Sequence, residues 1–97
     1  MNILEKVKAN RTRPAEIEGE PIKIRVYSGP ELKKMIKKIQ HGNDSVVAGI
    51  LAKQFLDESD KEIFPAEWLQ TDECPQCFFI ELAEMFMQVN TGTGKKN

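Results

Sequence analysis

Two short runs near the start of the chain alternate apolar with polar residues, whereas most later apolar residues recur at helical spacing. Ala15-Glu16-Ile17-Glu18 and Ile22-Lys23-Ile24-Arg25-Val26-Tyr27 carry the period of two that puts every second side chain on one face of a half-buried strand. Gly19-Glu20-Pro21 between them is turn material, so the pattern predicts a β-hairpin with Ile22, Ile24 and Val26 facing inward. Upstream, Ile3, Leu4 and Val7 stand at helical spacing. Their segment is shorter than the ~12 residues an isolated helix needs in water, so it is expected to be helical only when docked. Arg11 to Pro14 reads as a connector.

Ser28-Gly29-Pro30-Glu31 closes the second strand and opens a helix: Ser28 can accept from an orphan amide, Pro30 suits a first turn, and Glu31 completes a capping box. That helix is expected to reach His41, with Leu32, Met35, Ile36 and Ile39 within roughly 100° of one another and Lys33, Lys34, Lys37 and Lys38 on the other side. Gly42-Asn43-Asp44 breaks it, and Asp44 or Ser45 is expected to cap a helix from Val46 to Leu56. There Val46, Val47, Ala48, Ile50, Leu51, Ala52, Phe55 and Leu56 surround the axis, which predicts a central position. Asp57 to Glu62 is a polar loop, and Pro65 starts a short helix through Trp68 or Leu69.

The last helix is expected to begin at Asp72 or Pro75 and to end near Asn90, before Gly92. Its polar residues Glu81, Glu84 and Gln88 share one narrow stripe. Phe78, Phe79, Ile80, Leu82, Ala83, Met85, Phe86, Met87 and Val89 cover roughly 220° of the circumference, against about 100° for an ordinary surface helix. Thr91 to Asn97 is Gly, Thr, Lys and Asn, and is expected to be disordered. The reading is a single α+β domain over residues 1–97, helix-rich, with an N-terminal β-hairpin followed by about four helices and with 1–14 and 91–97 as flexible ends.

The chain has 97 residues. A domain of that size buries roughly 60 to 65% of the surface its unfolded chain exposes, so its core is limited. No apolar run approaches the roughly 18 residues of a membrane span, and charges fill the place of a signal-peptide core in Met1-Asn2-Ile3-Leu4-Glu5-Lys6-Val7-Lys8. A cytoplasmic location, with no membrane partner, is therefore expected. The net charge of -1 conceals two unlike halves: residues 1–41 carry ten Lys/Arg against five Asp/Glu, and residues 42–97 carry four against ten. Such polarity favours head-to-tail or inter-domain attraction over nucleic-acid binding, although solvated helix faces produce it equally.

Candidate chemistry is sparse. Cys74-Pro75-Gln76-Cys77 has the form of a thioredoxin-like motif, but that reading requires a strand immediately before it, and Glu67 to Glu73 looks helical or looped. Two Cys and a remote His41 do not complete a four-ligand zinc site within one chain. A calcium loop starting at Asp57 fails on register, with Glu62 at the glycine position and Trp68 at the bidentate glutamate position. No phosphate-cradling loop or nucleophile elbow is present, and His41 suits a helix C-terminus. Neither catalysis nor a metal or cofactor is expected.

In order along the chain, these pieces resemble the tail assembly chaperone family of long-tailed (siphovirus-type) bacteriophages. The correspondence runs from the Ile-Leu-containing opening through the hairpin ending in Ile22-Lys23-Ile24-Arg25-Val26 to the turn Ser28-Gly29-Pro30-Glu31. It continues with an apolar helix leading into an aspartate-rich loop and a phenylalanine, where Asp57, Asp60, Lys61 and Phe64 correspond, and ends at Asn90-Thr91-Gly92. The family pattern often has Gly where Asp60 stands, and the Cys pair is outside it.

The resemblance implies a non-enzymatic chaperone that binds the tape measure protein and recruits major tail protein subunits to build the tail tube, and that is absent from the mature virion. It also implies a longer form made by ribosomal slippage, for which the adenine-rich codons of Gly94-Lys95-Lys96-Asn97 would serve. Such binding would use Met35, Phe78, Phe79, Ile80, Met85, Phe86 and Met87, with thioethers adapting to varied partners. The same apolar surplus is equally met by homo-oligomerisation, or by the helices forming one core together. The alternative from another class is a small nucleic-acid-binding regulator using Lys33, Lys34, Lys37 and Lys38; lacking interleaved aromatics, that face reads more simply as solvated.

Overall fold

Residues 2–9 and 11–92 are described by the computed structural model. The slippage-prone run Gly94 to Asn97 and most of the tail expected to be disordered lie outside the described residues. In chain order the elements are α1 (Ile3–Ala9), β1 (Thr12–Ile17), β2 (Glu20–Arg25), α2 (Gly29–His41), α3 (Asp44–Ala52), β3 (Phe55–Leu56), α4 (Ala66–Leu69) and α5 (Gln76–Thr91). The fold is α+β, with the hairpin at its start and the main helices after it.

The hairpin forms as its alternation demands, one turn position earlier than expected. Glu18 and Gly19 both have positive φ (52° and 79°), the pair of left-handed residues that makes a two-residue hairpin loop. Glu20 and Pro21 therefore belong to β2 rather than to the turn. Arg11 to Pro14 is no connector either: Thr12 pairs with Arg25 and Pro14 with Lys23, so three of its four residues lie in β1. Proline is compatible with β1 because that strand is an edge. The register puts Ala15 opposite Ile22, and Ile22 and Ile24 are buried as the alternation requires. Val26, just past the strand, is only partly covered.

α2 begins where the capping residues place it. Ser28 Oγ accepts from the Glu31 amide at 3.4 Å, and the Ser28 hydroxyl lies 3.3 Å from Glu31 Oε1. Leu32 is buried, Met35, Ile36 and Ile39 are partly so, and the four lysines face outward. The next cap is Asn43, whose Oδ1 accepts from the Val46 amide at 3.0 Å, rather than Asp44 or Ser45. Asp44 instead sits in the first turn, where its charge complements the helix dipole.

α3 ends four residues sooner than its apolar run. After Ala52 the chain turns through Lys53 and Gln54, and Phe55 and Leu56 pair with Ile24 and Lys23 as the third strand. An apolar residue after an apolar helix looks the same whether it continues the helix or enters a sheet; the long-range bond from the Arg25 amide to the Gln54 carbonyl decides it. Val47, Ala48, Leu51 and Ala52 are buried, so α3 is central as its composition predicts.

α5 closes the core with Leu82 and Phe86, both wholly buried. Its end is pinned by one side chain. Asn90 Oδ1 accepts from the Tyr27 amide at 3.0 Å, and its Nδ2 donates to the Arg25 carbonyl at 3.0 Å, so the amide group bridges the exit of β2 as another strand would. Gly92 then takes φ of 75° and its N–H reaches the Gln88 carbonyl, the left-handed stop that glycine permits without a Cβ clash. The one buried polar side chain among the described residues, Gln54, is satisfied by the Tyr27 hydroxyl at 2.6 Å and the Ile50 carbonyl at 2.8 Å. Burial pushes the Tyr27 phenol above its ordinary pKa, against the lowering effect of that hydrogen bond. No helix among the described residues is long and apolar enough to cross a membrane.

Candidate functional site

The broad apolar girth of α5 divides into two stripes. Phe78, Leu82, Met85, Phe86 and Val89, at spacings of four, three, one and three, pack on the core side. The neighbouring stripe, Phe79, Ile80, Ala83 and Met87, forms one wall of an open groove of about 610 Å³. The other wall comes from the end of α2 and the start of α3, through Ile39, Gly42 and Val47. Gly42 is required at that corner, because a Cβ there would meet the Lys38 carbonyl at 2.5 Å. Ile80 keeps 47% of its surface exposed, and Val46 beside the groove residue Val47 keeps 41%.

Electrostatically the groove is one-sided. Its lining includes Asp44 and Glu84 and no Lys or Arg. Gln76 and Gln88 mark its two ends along α5, about 18 Å apart at 1.5 Å per residue. An apolar trough with an acidic rim and that length suits an amphipathic helix carrying apolar anchors and positive charge.

Of the residues expected to meet partners, Phe79, Ile80 and Met87 line this groove. Phe86 does not: it is wholly buried, edge-on to Tyr27 with ring centroids 6.2 Å apart, and belongs to the core. Phe78 turns toward an aromatic cluster, 5.4 Å from Phe64 and 6.4 Å from Trp68 between centroids. Met35 and Met85 are partly buried against the core and outside the groove lining. Ile39, Val47 and Ala83 line it without having been singled out. The signal for Ala83 was present, since 76, 79, 80, 83, 84, 87 and 88 repeat at helical spacing.

The loop residues serve the fold. Asp57 Oδ1 accepts from the Ser59 and Lys61 amides at 2.7 and 3.0 Å, and the Lys61 amide bond above all holds the carboxyl below its ordinary pKa. Asp60 stands at φ of 66° and pairs with Lys23 at 2.9 Å, tying the loop to β2. Phe64 packs edge-on to Phe55 and joins that ring to the aromatic cluster with Trp68 and Phe78.

Cys74 and Cys77 are free thiols, preceded by α4 and a turn rather than by a strand. Burial, and then the neighbouring Cys77, raise the Cys74 pKa, the opposite of what a redox nucleophile needs. Among the described residues no group of three or more His, Cys, Asp or Glu side chains could hold a metal ion. His41 is exposed in the last turn of α2. Comparison with family models, with curated proteins and with solved structures finds no match to this chain.

Proposed function

We propose that this chain is a non-enzymatic tail assembly chaperone of a long-tailed phage, acting in the host cytoplasm. It would hold helical segments of the tape measure protein and gather major tail protein subunits around them. The observation that carries the reading is the groove along α5: an apolar helix face left half covered at Ile80 and partly covered at Phe79, Ala83 and Met87, at a scale that takes a single helix. A long helical ruler presents many such segments, and shape with apolar contact is enough to hold them without chemistry.

Two details of the resembled pattern add support. Asp60 occupies the left-handed conformation that glycine, frequent there in the pattern, adopts freely. The Asn90-Thr91-Gly92 ending supplies the bridge to β2 and the helix stop.

Co-expression with the tape measure and tail tube proteins of a long-tailed phage tests the proposal. The expected result is co-purification of the tape measure protein, lost on Ile80→Glu with Met87→Glu and retained on Lys33→Glu with Lys37→Glu. Failure to capture either tail protein, with salt-sensitive retention on DNA that depends on Lys33 and Lys37, would transfer the assignment to a nucleic-acid-binding regulator.

A further inference from the structure

α1 is an amphipathic helix whose apolar face is largely uncovered, although Lys6 and Val7 border an open hollow shared with Val26, Tyr27 and Val89. It buries no residue, and Ile3, Leu4 and Val7 are 80%, 61% and 63% exposed. Seven residues are too few for a helix to be stable alone in water. Its first turn is nevertheless capped, with Asn2 Oδ1 accepting from the Glu5 amide at 2.8 Å, so the sequence encodes a helix start as well as an apolar face. A capped helix with a bare apolar stripe is one half of an interface.

The other half is on the same chain. The α5 groove is open and apolar, is edged by Asp44 and Glu84, and has no cation in its lining. α1 carries Lys6 and Lys8 against the single Glu5, and Arg11 and Arg13 follow it. Its length, about 10 Å at 1.5 Å per residue, fits within the groove. Ile3, Leu4 and Val7, at positions i, i+1 and i+4, form the kind of anchor set that a helix presents to a groove.

We infer that α1 of one copy seats in the α5 groove of a second copy, with Leu4 and Val7 against Ile80 and Met87 and its lysines toward Asp44 and Glu84. Reciprocal exchange leaves neither a helix nor a groove empty, so the assembly closes as a twofold dimer. The acidic groove and basic helix also give the unlike charges of the two halves of the chain a use: the basic first half of each copy is attracted to the acidic second half of the other. In the chaperone reading, the same contact would keep the groove covered until a partner helix displaces α1. The dimer itself does not depend on that reading.

The test uses the full chain with no tail protein present, so its outcome is separate from that of the capture experiment. Molar mass is measured by light scattering for wild type, for Leu4→Glu and for Ile80→Glu. Both positions are exposed, and a single cooperative melting transition checks that each variant folds. Wild type is expected to have twice the chain mass and each variant the single mass. Mixing the two variants raises the mean mass above the single mass as concentration increases, because the intact α1 of the Ile80→Glu chain meets the intact groove of the Leu4→Glu chain and restores one of the two contacts. A monomeric wild type, which would place α1 in its own groove or leave it free, a dimer that survives either substitution, or a mixture that stays at the single mass at every concentration would each overturn the inference.

Discussion

The two apolar stripes of α5 are alike in composition and differ in how completely they are covered. On one, Leu82 and Phe86 are sealed against α3 and the sheet, and Asn90 at its end is bonded to the backbone of Arg25 and Tyr27. On the other, Phe79, Ile80 and Met87 border a groove with an open mouth. Apolar content alone does not distinguish them. The stripe that is fixed has a polar residue in register to satisfy the neighbouring strand, while the stripe that is open ends in Gln88, Glu84 and Gln76, which face water. A hydrophobic face becomes core where the backbone beside it can also be satisfied.

The widest separation between the stripes is expected from truncating one residue on each. Phe86→Ala removes a wholly buried ring and leaves a cavity that α3 and β2 cannot readily fill, a loss of about 3–5 kcal/mol in urea unfolding. Ile80→Ala, on a half-exposed side chain, should cost about 1 kcal/mol or less. Comparable losses at both sites would show that the groove stripe is core and that no surface is spare.

Asn90→Ala asks whether the polar tie, rather than the greasy contact, fixes the inner stripe. It strips the part-buried Tyr27 amide and the exposed Arg25 carbonyl of their partner, which should lower stability by about 1–2 kcal/mol. Protection of the Tyr27 amide from hydrogen exchange should fall with it, while Phe79 and Ile80 keep their environment, read from their side-chain NMR shifts. Loss of order in both stripes together would mean that α5 is held as one rigid unit and that the contrast drawn between its faces is unfounded.

The strands and helices were largely legible because period two and period 3.6 record which side of an element is wet. The hairpin, the Ser28 cap and the Gly92 stop follow from single residues with one strong preference each. What the sequence withheld depends on distant partners. Phe55 and Leu56 continue an apolar helix by pattern, and only the pairing with Ile24 and Lys23 makes them a strand. Arg11 to Pro14 looks like a connector until β2 lies beside it. The excess apolar girth of α5 was visible, but its division was not: sealing Phe86 in the core and leaving Ile80 at the groove requires knowing which neighbours arrive. Ile39 and Val47 joined the site from other elements, and no local spacing relates them to Met87.

The 57–61 loop stands on the fixed side of the same contrast, but local bonds fix it. Because hydrogen bonds from the Lys61 and then the Ser59 amide lower the folded pKa of Asp57, its carboxylate favours the folded state at all pH above the unfolded value near 3.9. That contribution disappears as pH falls through the folded value. Asp57→Asn should therefore lose less melting temperature than wild type between about pH 6 and about pH 2.5, while starting lower at the upper pH. Dimer mass and partner capture should be untouched, since the loop is no part of the groove lining. A change in either would move the loop from the fixed region to the open one.

The smallest expected effect is at Asp60, where two weak terms oppose each other. A residue with a Cβ at φ of 66° is disfavoured by about 1 kcal/mol, somewhat less for Asp than for most, and glycine removes that cost. Glycine also forfeits the Lys23 ion pair, which is 35% and 67% exposed and so worth about 0–1 kcal/mol, and it adds freedom to the unfolded chain. Asp60→Gly should accordingly change stability by less than about 1 kcal/mol, with the balance moving in its favour as salt screens the ion pair. Asp60→Ala separates the two terms: it loses the ion pair and keeps the strained conformation, so it should fall below both wild type and Asp60→Gly. If alanine and glycine are equally damaging, the ion pair rather than the left-handed backbone governs the position, and the glycine found there in the resembled pattern has no conformational reason in this chain.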